Sequence, residues 1–161
     1  MHLINLFRFV ILFGVISITS QLISCKGDDV DLPDVPLAGK IGGIDWEYKM
    51  GNSRLVSVDS KYRFLLLSTL EQGNDPCPIV SSTNPHIQMI LPLESGSYTL
   101  PLPVLSESVM FVLGNGTVLT ATAGFIEIIA VDFDSQQLAG YIQADFDDDN
   151  AVLGTFIVDF C

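Results

Sequence analysis

Hydrophobic residues beyond position 37 recur in short runs, which Gly, Pro, Asn and Asp interrupt at intervals of about ten residues. Residues 86–91 alternate between two faces, which is the period of a strand. Residues 62–70 are rich in Tyr, Phe and Leu and predict a strand buried on both faces. No stretch combines an apolar stripe of helical spacing with helix caps. The pattern therefore predicts an all-β fold, an antiparallel β-sandwich or flattened barrel of about ten strands.

Turn residues place the boundaries between these strands. A Gly-Gly-Ile-Asp turn at 42–45 predicts a hairpin, and Asn115-Gly116 suits the positive dihedrals of a second one. The Asp-rich turn at 147–150 predicts a third hairpin. Residues 71–86 carry three prolines and predict a long loop. The predicted strands are residues 37–41, 46–50, 55–58, 62–70, 86–91, 98–100, 109–113, 118–122, 125–133, 138–146 and 152–160.

The N-terminal segment differs from the rest of the chain. Arg8 precedes an apolar run at 9–18, whereas a helix that spans a bilayer needs roughly 20 apolar residues. This length is typical of a secretory signal peptide. An uncleaved membrane anchor with an incidental cysteine is the alternative. Residues 1–24 are therefore predicted to be removed, and residues 39–161 to form the folded domain.

The signal segment ends in Leu22-Ile23-Ser24-Cys25, which resembles the lipobox of bacterial lipoproteins. The resemblance implies cleavage between Ser24 and Cys25, a diacylglycerol thioether on the Cys25 thiol, and acylation of the new amine. Three acyl chains exceed the two signals that stable membrane anchoring needs. Residues 25–38 are rich in Pro, Gly and Asp and predict an extended acidic tether.

Charged residues directly follow the predicted lipid cysteine. Lys26, Asp28, Asp29 and Asp31 resemble the export tag of surface lipoproteins of the Bacteroidota, although Gly27 interrupts the usual run. The resemblance implies an outer-membrane lipoprotein exposed at the cell surface. The alternative is that these acids only keep the tether solvated.

The folded part also resembles small all-β lipoproteins of the Bacteroidota. The resemblance rests on the opening Gly-Lys-Ile-Gly-Gly-Ile-Asp-Trp at 39–46, the Asp-Pro-Cys loop at 75–77 and the closing Gly-Thr-Phe-Ile-Val-Asp-Phe-Cys at 154–161. It is a loose pattern over residues 39–161 rather than a catalytic signature. It implies a fold and a location, and no reaction.

Charge excludes one class of partner. The 161 residues include 19 acidic and 7 basic side chains, for a net charge of −12, and no Lys or Arg follows Arg63. Binding to nucleic acid needs basic residues that displace phosphate counterions, so no nucleic-acid partner is expected. The chain also lacks the Gly-Lys-Ser or Gly-Lys-Thr of a phosphate-binding P-loop.

Cysteine and histidine offer few catalytic options. With Cys25 lipidated, Cys77 and Cys161 remain as an even pair in an oxidising compartment, and a disulfide between them is predicted. A zinc site with His86 is the alternative, but it lacks the usual ligand spacing. His86 is the only His after signal removal, so any His-dependent catalytic site would need it. Its position at the start of a strand favours a structural role.

Acidic residues raise two further hypotheses. Glu127 stands in an apolar strand, where burial would raise its pKa and suit it to glycoside hydrolysis; outward alternation is the alternative. Asp145, Asp147 and Asp149 could offer oxygens to a hard cation such as calcium. An EF-hand would need Gly and Glu where Asn150 and Phe156 stand, so a solvated turn is the default.

Aromatic residues raise the last hypothesis. Trp46 and Tyr48, with Tyr62 and Tyr98, could form a platform on which a sugar ring stacks; core packing is the alternative. The sequence as a whole favours a lipid-anchored envelope protein with a non-enzymatic binding or accessory role and a glycan or envelope protein as partner. No cofactor is predicted. A carboxylate-based enzyme acting on glycans and a purely structural envelope protein are the alternatives.

Overall fold

The computed structural model describes residues 34–56, 61–71, 73, 75, 77–102 and 108–161. These residues contain eleven β-strands, which turns and loops connect. The predicted signal peptide, Cys25 and most of the tether lie outside these residues. The all-β prediction is confirmed. The strands are β1 (Ala38–Ile41), β2 (Ile44–Glu47), β3 (Met50–Leu55), β4 (Tyr62–Ser68), β5 (His86–Pro92), β6 (Gly96–Thr99), β7 (Ser108–Val112), β8 (Val118–Thr120), β9 (Ala123–Asp132), β10 (Gln137–Asp147) and β11 (Asn150–Phe160).

The described strands belong to one curled sheet, in the order β6-β9-β10-β11-β3-β4-β5-β7-β8. The β1–β2 hairpin pairs with the start of β11. Three predicted hairpins are present: β1–β2 around Gly42 and Gly43, β7–β8 around Asn115 and Gly116, and β10–β11 around the acidic turn.

The pairing of β3 with β11 is parallel, so the prediction of a purely antiparallel sheet is wrong at this point. The cause is the path of the chain. β1 is antiparallel to β11 and β2 is antiparallel to β1, so β2 runs in the direction of β11. The two-residue link Tyr48–Lys49 continues that direction into β3. β1 pairs with β11 only as far as Leu153. The end of β11 therefore pairs with β3 instead, in parallel orientation, at Asp159 and Phe160.

One hydrophobic core receives side chains from both halves of the curled sheet. Leu65, Met89 and Phe111 from one half, and Ile126 and Phe156 from the other, are at most 1% exposed. In β11, buried and accessible positions alternate, as the period of a strand requires. The odd-numbered residues of β10 and β11 consequently form an outer face that solvent reaches.

Gly154 lets the N-terminal end of the domain lie directly on β11. Its φ of +139° is a conformation that side chains disfavour, and a Cβ there would lie 2.5 Å from the Cα of Leu37. The backbone N–H of the adjacent Thr155 donates to the Val35 carbonyl at 2.8 Å, and this hydrogen bond holds the two segments together. The chain preceding β1 is thereby fixed along the edge of β11.

The predicted disulfide between Cys77 and Cys161 is confirmed, with an S–S distance of 2.04 Å. Side chains of β3 hold the same loop: Asn52 Nδ2 donates to the Pro78 carbonyl at 3.3 Å and Arg54 Nη2 to the Cys77 carbonyl at 2.8 Å. The loop after residue 76 is therefore attached to both β11 and β3.

Arg63 is a buried cation next to the end of β11 and is only 8% exposed. Its Nη1 donates to the carbonyl and the hydroxyl of Ser53, both at 3.0 Å, and its guanidinium carbon lies 4.0 Å from the centroid of the Phe160 ring. Its Nε has no hydrogen-bond partner among the described residues. Burial lowers the pKa of Arg63. The negative face of the Phe160 ring offsets part of the cost of desolvating the guanidinium. The same contact helps to hold the end of β11 in place.

Candidate ligand-binding cleft

A cleft of about 330 Å³ opens on the outer face where β1 and β3 both approach β11. β1 pairs with β11 only up to Leu153, and β3 joins it only at Asp159. The Tyr48–Lys49 link bridges the interval between these pairings. The residues that line the cleft include Tyr48, Lys49, Gln137, Thr155, Ile157 and Asp159. The volume is at the lower end of the range of small-molecule sites, roughly 300 to 1,000 Å³.

Tyr48 forms a rigid wall of the cleft. Its backbone N–H donates to the Leu37 carbonyl at 2.9 Å, and the Lys49 N–H donates to the Ser68 carbonyl at 2.9 Å. The Tyr48 ring packs against the core, and its hydroxyl donates to the carbonyl of Ile157. These bonds fix both the backbone and the ring, so the wall is preorganised.

The ionisation of Tyr48 limits what it can do chemically. Burial raises the pKa of its hydroxyl, and the negative charge of Asp159 raises that pKa further. Tyr48 is therefore protonated across the physiological range. It can donate a hydrogen bond or present its ring, but it does not supply a phenolate nucleophile or base.

The polar side chains of the cleft are held in place by hydrogen bonds. Gln137 Nε2 donates to Asp159 Oδ1 at 2.9 Å, and the Thr155 hydroxyl donates to the Val35 carbonyl at 2.9 Å. Lys49 Nζ pairs with Glu47 at 2.8 Å. Asp159 is the only carboxylate among the described residues that line the cleft. The site thus offers amide, carboxylate and hydroxyl groups, and Lys49, Glu47 and Asp159 together carry a formal charge of −1.

An aromatic pair lies next to the cleft on the same face. Tyr141 is the direct cross-strand neighbour of Thr155, and its ring stacks on Phe125 of β9 with centroids 5.7 Å apart and an interplanar angle of 28°. Leu153 and Ile157 are 42% and 45% exposed on this face. Sequence reasoning missed Phe125 and Tyr141 as candidates. Alternation in β9 and β10 places them outward, but only the register brings their rings together.

The prediction that Trp46 is a ligand platform is wrong. Trp46 is 3% exposed, lies in the core cluster and donates its indole N–H to the Pro85 carbonyl at 3.0 Å. Tyr62 lies beneath the Lys61 ammonium, which is 5.3 Å from its ring centroid. Tyr98 packs against the core and its hydroxyl donates to the Glu94 carbonyl at 3.1 Å. Of the four predicted aromatic residues, only Tyr48 lines the cleft.

His86 has the contacts of a structural residue. It is 2% exposed, with Nδ1 2.7 Å from the Asn84 carbonyl and Nε2 2.9 Å from the side-chain amide of Gln88. Both ring nitrogens are therefore engaged.

Glu127 is exposed on the outer face, so the hypothesis of a buried carboxylic acid in β9 is wrong.

The acidic turn between β10 and β11 holds the hairpin together. Asp147 Oδ1 accepts the backbone N–H of Asp149 at 3.1 Å and the side-chain amide of Asn150 at 2.7 Å, while Asn150 Oδ1 accepts the Gly42 N–H at 2.8 Å. Across the described ranges, no three His, Cys, Asp or Glu side chains are grouped as metal ligands would be. The structure therefore does not assemble Asp145, Asp147 and Asp149 into the hypothesised calcium site.

Comparisons of the chain with protein-family models, with curated proteins and with solved structures found no match. In the portion that the structure describes, no helix has the length and hydropathy needed to cross a membrane.

Proposed function

We propose that this chain is a lipid-anchored, surface-exposed envelope protein whose β domain binds a ligand without transforming it. The anchor is Cys25, and the ligand site is the cleft beside Tyr48. The lipobox-like end of the signal segment supports the anchor. The observation that carries the binding role is the cleft itself, with rigid walls and polar groups already oriented.

The carboxylates of the cleft favour binding over glycoside hydrolysis. Such hydrolysis uses two carboxyl groups about 5 to 10 Å apart, one on each side of the scissile bond. Among the described lining residues only Asp159 carries a carboxylate, and the neighbouring Tyr48 is protonated. The described lining residues therefore have groups that can recognise a ligand, but they lack the pair of carboxyl groups that glycoside hydrolysis usually needs.

The position of the cleft relative to the tether supports presentation at a membrane. Val35 and Pro36 lie against Thr155, so the chain enters the domain beside the cleft. Residues 25–33 would span at most about 30 Å when fully extended. The tether would hold the cleft within that distance of the lipid surface, where envelope components are concentrated.

Protease added to intact cells is expected to remove the domain if the protein is displayed at the surface. Replacing Asp28, Asp29 and Asp31 together by Ala should then protect it, because the proposed export tag is lost. The measurement is an immunoblot of the domain before and after protease treatment. A triple replacement by Glu is the matched control and should leave the domain accessible. Equal cleavage of the Ala and wild-type proteins would contradict the export tag, and protection of the wild type would contradict surface display.

A further inference from the structure

We propose that the ligand of the cleft is a neutral oligosaccharide, which extends from Tyr48 across Thr155 to the stacked rings of Tyr141 and Phe125. This inference rests on the proposed function, because it names the ligand class for the same site. It follows from the charge balance of the cleft, the kinds of polar group it offers, and the distance to the aromatic pair.

The charges of the cleft disfavour an anionic ligand. The Lys49 ammonium pairs with Glu47 in an exposed salt bridge of 2.8 Å, so the two charges offset each other. Asp159 would repel an anion at close range, and the net charge of −12 would repel one at longer range. A cationic ligand would meet Asp159, which accepts a hydrogen bond from Gln137, and also the exposed Glu127, which is the cross-strand neighbour of Tyr141. The electrostatics therefore disfavour an anionic ligand.

The polar groups match a molecule that carries many hydroxyls. A sugar hydroxyl both donates and accepts, and adjacent hydroxyls do so at closely spaced positions. Asp159 accepts only, whereas the Gln137 amide both donates and accepts. Their mutual hydrogen bond of 2.9 Å fixes the two groups side by side before a ligand arrives. Such preorganisation reduces the entropy cost of ordering side chains on binding.

The aromatic pair sets the length of the ligand. Tyr141 is the cross-strand neighbour of Thr155 in the cleft, and Phe125 lies one strand further. Adjacent strands are about 4.8 Å apart, so the surface from β11 to β9 is roughly 10 Å across. Tyr48 and Ile157 extend it beyond β11. A single sugar ring would occupy the cleft alone, whereas an oligosaccharide would also cover the rings with its apolar C–H faces.

Calorimetric titration of the detergent-solubilised full chain tests the ligand class. The probes are hexasaccharides of β-1,4-glucose, α-1,4-glucose, mannose, xylose and N-acetylglucosamine, with hexagalacturonate as the acidic counterpart. We expect saturable binding of at least one neutral probe and none of hexagalacturonate. Absence of binding by all five neutral probes, or equal binding of the acidic one, would overturn the inference.

Substitutions on the outer face test the location. Tyr141→Ala and Gln137→Ala should each weaken binding of the best neutral probe roughly three- to tenfold, the loss of one ring contact or one hydrogen bond. Tyr141→Phe keeps the ring and should therefore retain more affinity than Tyr141→Ala. Phe133→Ala removes an aromatic ring that is 67% exposed in the β9–β10 turn and should also leave binding unchanged.

Two outcomes would overturn the location. One is unchanged affinity in Gln137→Ala, an exposed position whose replacement leaves the core intact, so folding does not obscure it. The other is an equal loss in Phe133→Ala. These results are distinguishable from failure of the proposed function: an unlipidated Cys25 would remove the anchor and leave sugar binding in place, while absence of sugar binding would leave the anchor unaffected.

Discussion

Replacing Cys25 by Ala is expected to release the protein from membranes completely. The thiol is the only group at this position that can form the thioether to diacylglycerol, and without it the lipobox-like segment offers no attachment. A burial energy of about 0.8 kcal/mol per methylene makes acyl chains of this kind the dominant source of membrane affinity. The measurement is incorporation of labelled palmitate together with the distribution of the protein between the membrane and soluble fractions.

Cys161→Ser provides the matched control for the Cys25 substitution. It removes a cysteine of the folded domain, breaks the disulfide to Cys77, and should leave palmitate incorporation unchanged. Wild-type labelling of Cys25→Ala would contradict the anchor, and so would retention of an unlabelled Cys25→Ala protein in the membrane fraction.

Reduction of the Cys77–Cys161 disulfide is expected to lower the unfolding temperature by roughly 10 °C. The bridge closes a sequence separation of 84 residues, and a loop of that length restricts the unfolded chain by at most about 4 to 5 kcal/mol. For a domain of this size that energy corresponds to roughly 10 °C or more. Reduction should also loosen the end of β11, because Cys161, which follows the strand, donates its N–H to the Ser53 carbonyl at 2.8 Å. Thermal unfolding with and without reductant measures the shift.

A Cys161→Ser variant separates the bridge from side effects of the reductant. Its unfolding temperature should match that of the reduced wild type and should not fall further when reductant is added. Non-reducing peptide mapping must yield one linked peptide that contains Cys77 and Cys161. Two free, alkylatable thiols in protein from an oxidising compartment would contradict the presence of the Cys77–Cys161 disulfide.

Most of the strands could be predicted from the sequence because apolar alternation and turn residues are local signals. Residues 152–160 were predicted as a strand, and the observed β11 extends this by two residues. The direction of β3 relative to β11 was not predictable in the same way. It depends on the chain continuing straight through Tyr48 and Lys49, and no local pattern reveals that path.

The candidate site was only partly predictable, for the same reason. Tyr48 was named from its residue type, but so was Trp46, which has the same parity in the predicted strand 46–50. The observed β2 ends at Glu47, so the two rings do not share a face: one enters the core and the other borders the cleft. Gln137 and Asp159 are 22 residues apart in the chain, and only the β10–β11 register brings them into contact.

Hydrogen–deuterium exchange of the full chain, with and without the best-binding neutral hexasaccharide, tests most directly whether the cleft is the ligand site. We expect slower exchange in two segments that border the cleft, residues 45–51 and 153–160, and no change in β5 or β7 on the other half of the sheet. Protection that appears only in β5 or β7, or no protection anywhere at a saturating concentration of the hexasaccharide, would contradict the placement of the ligand site in the cleft.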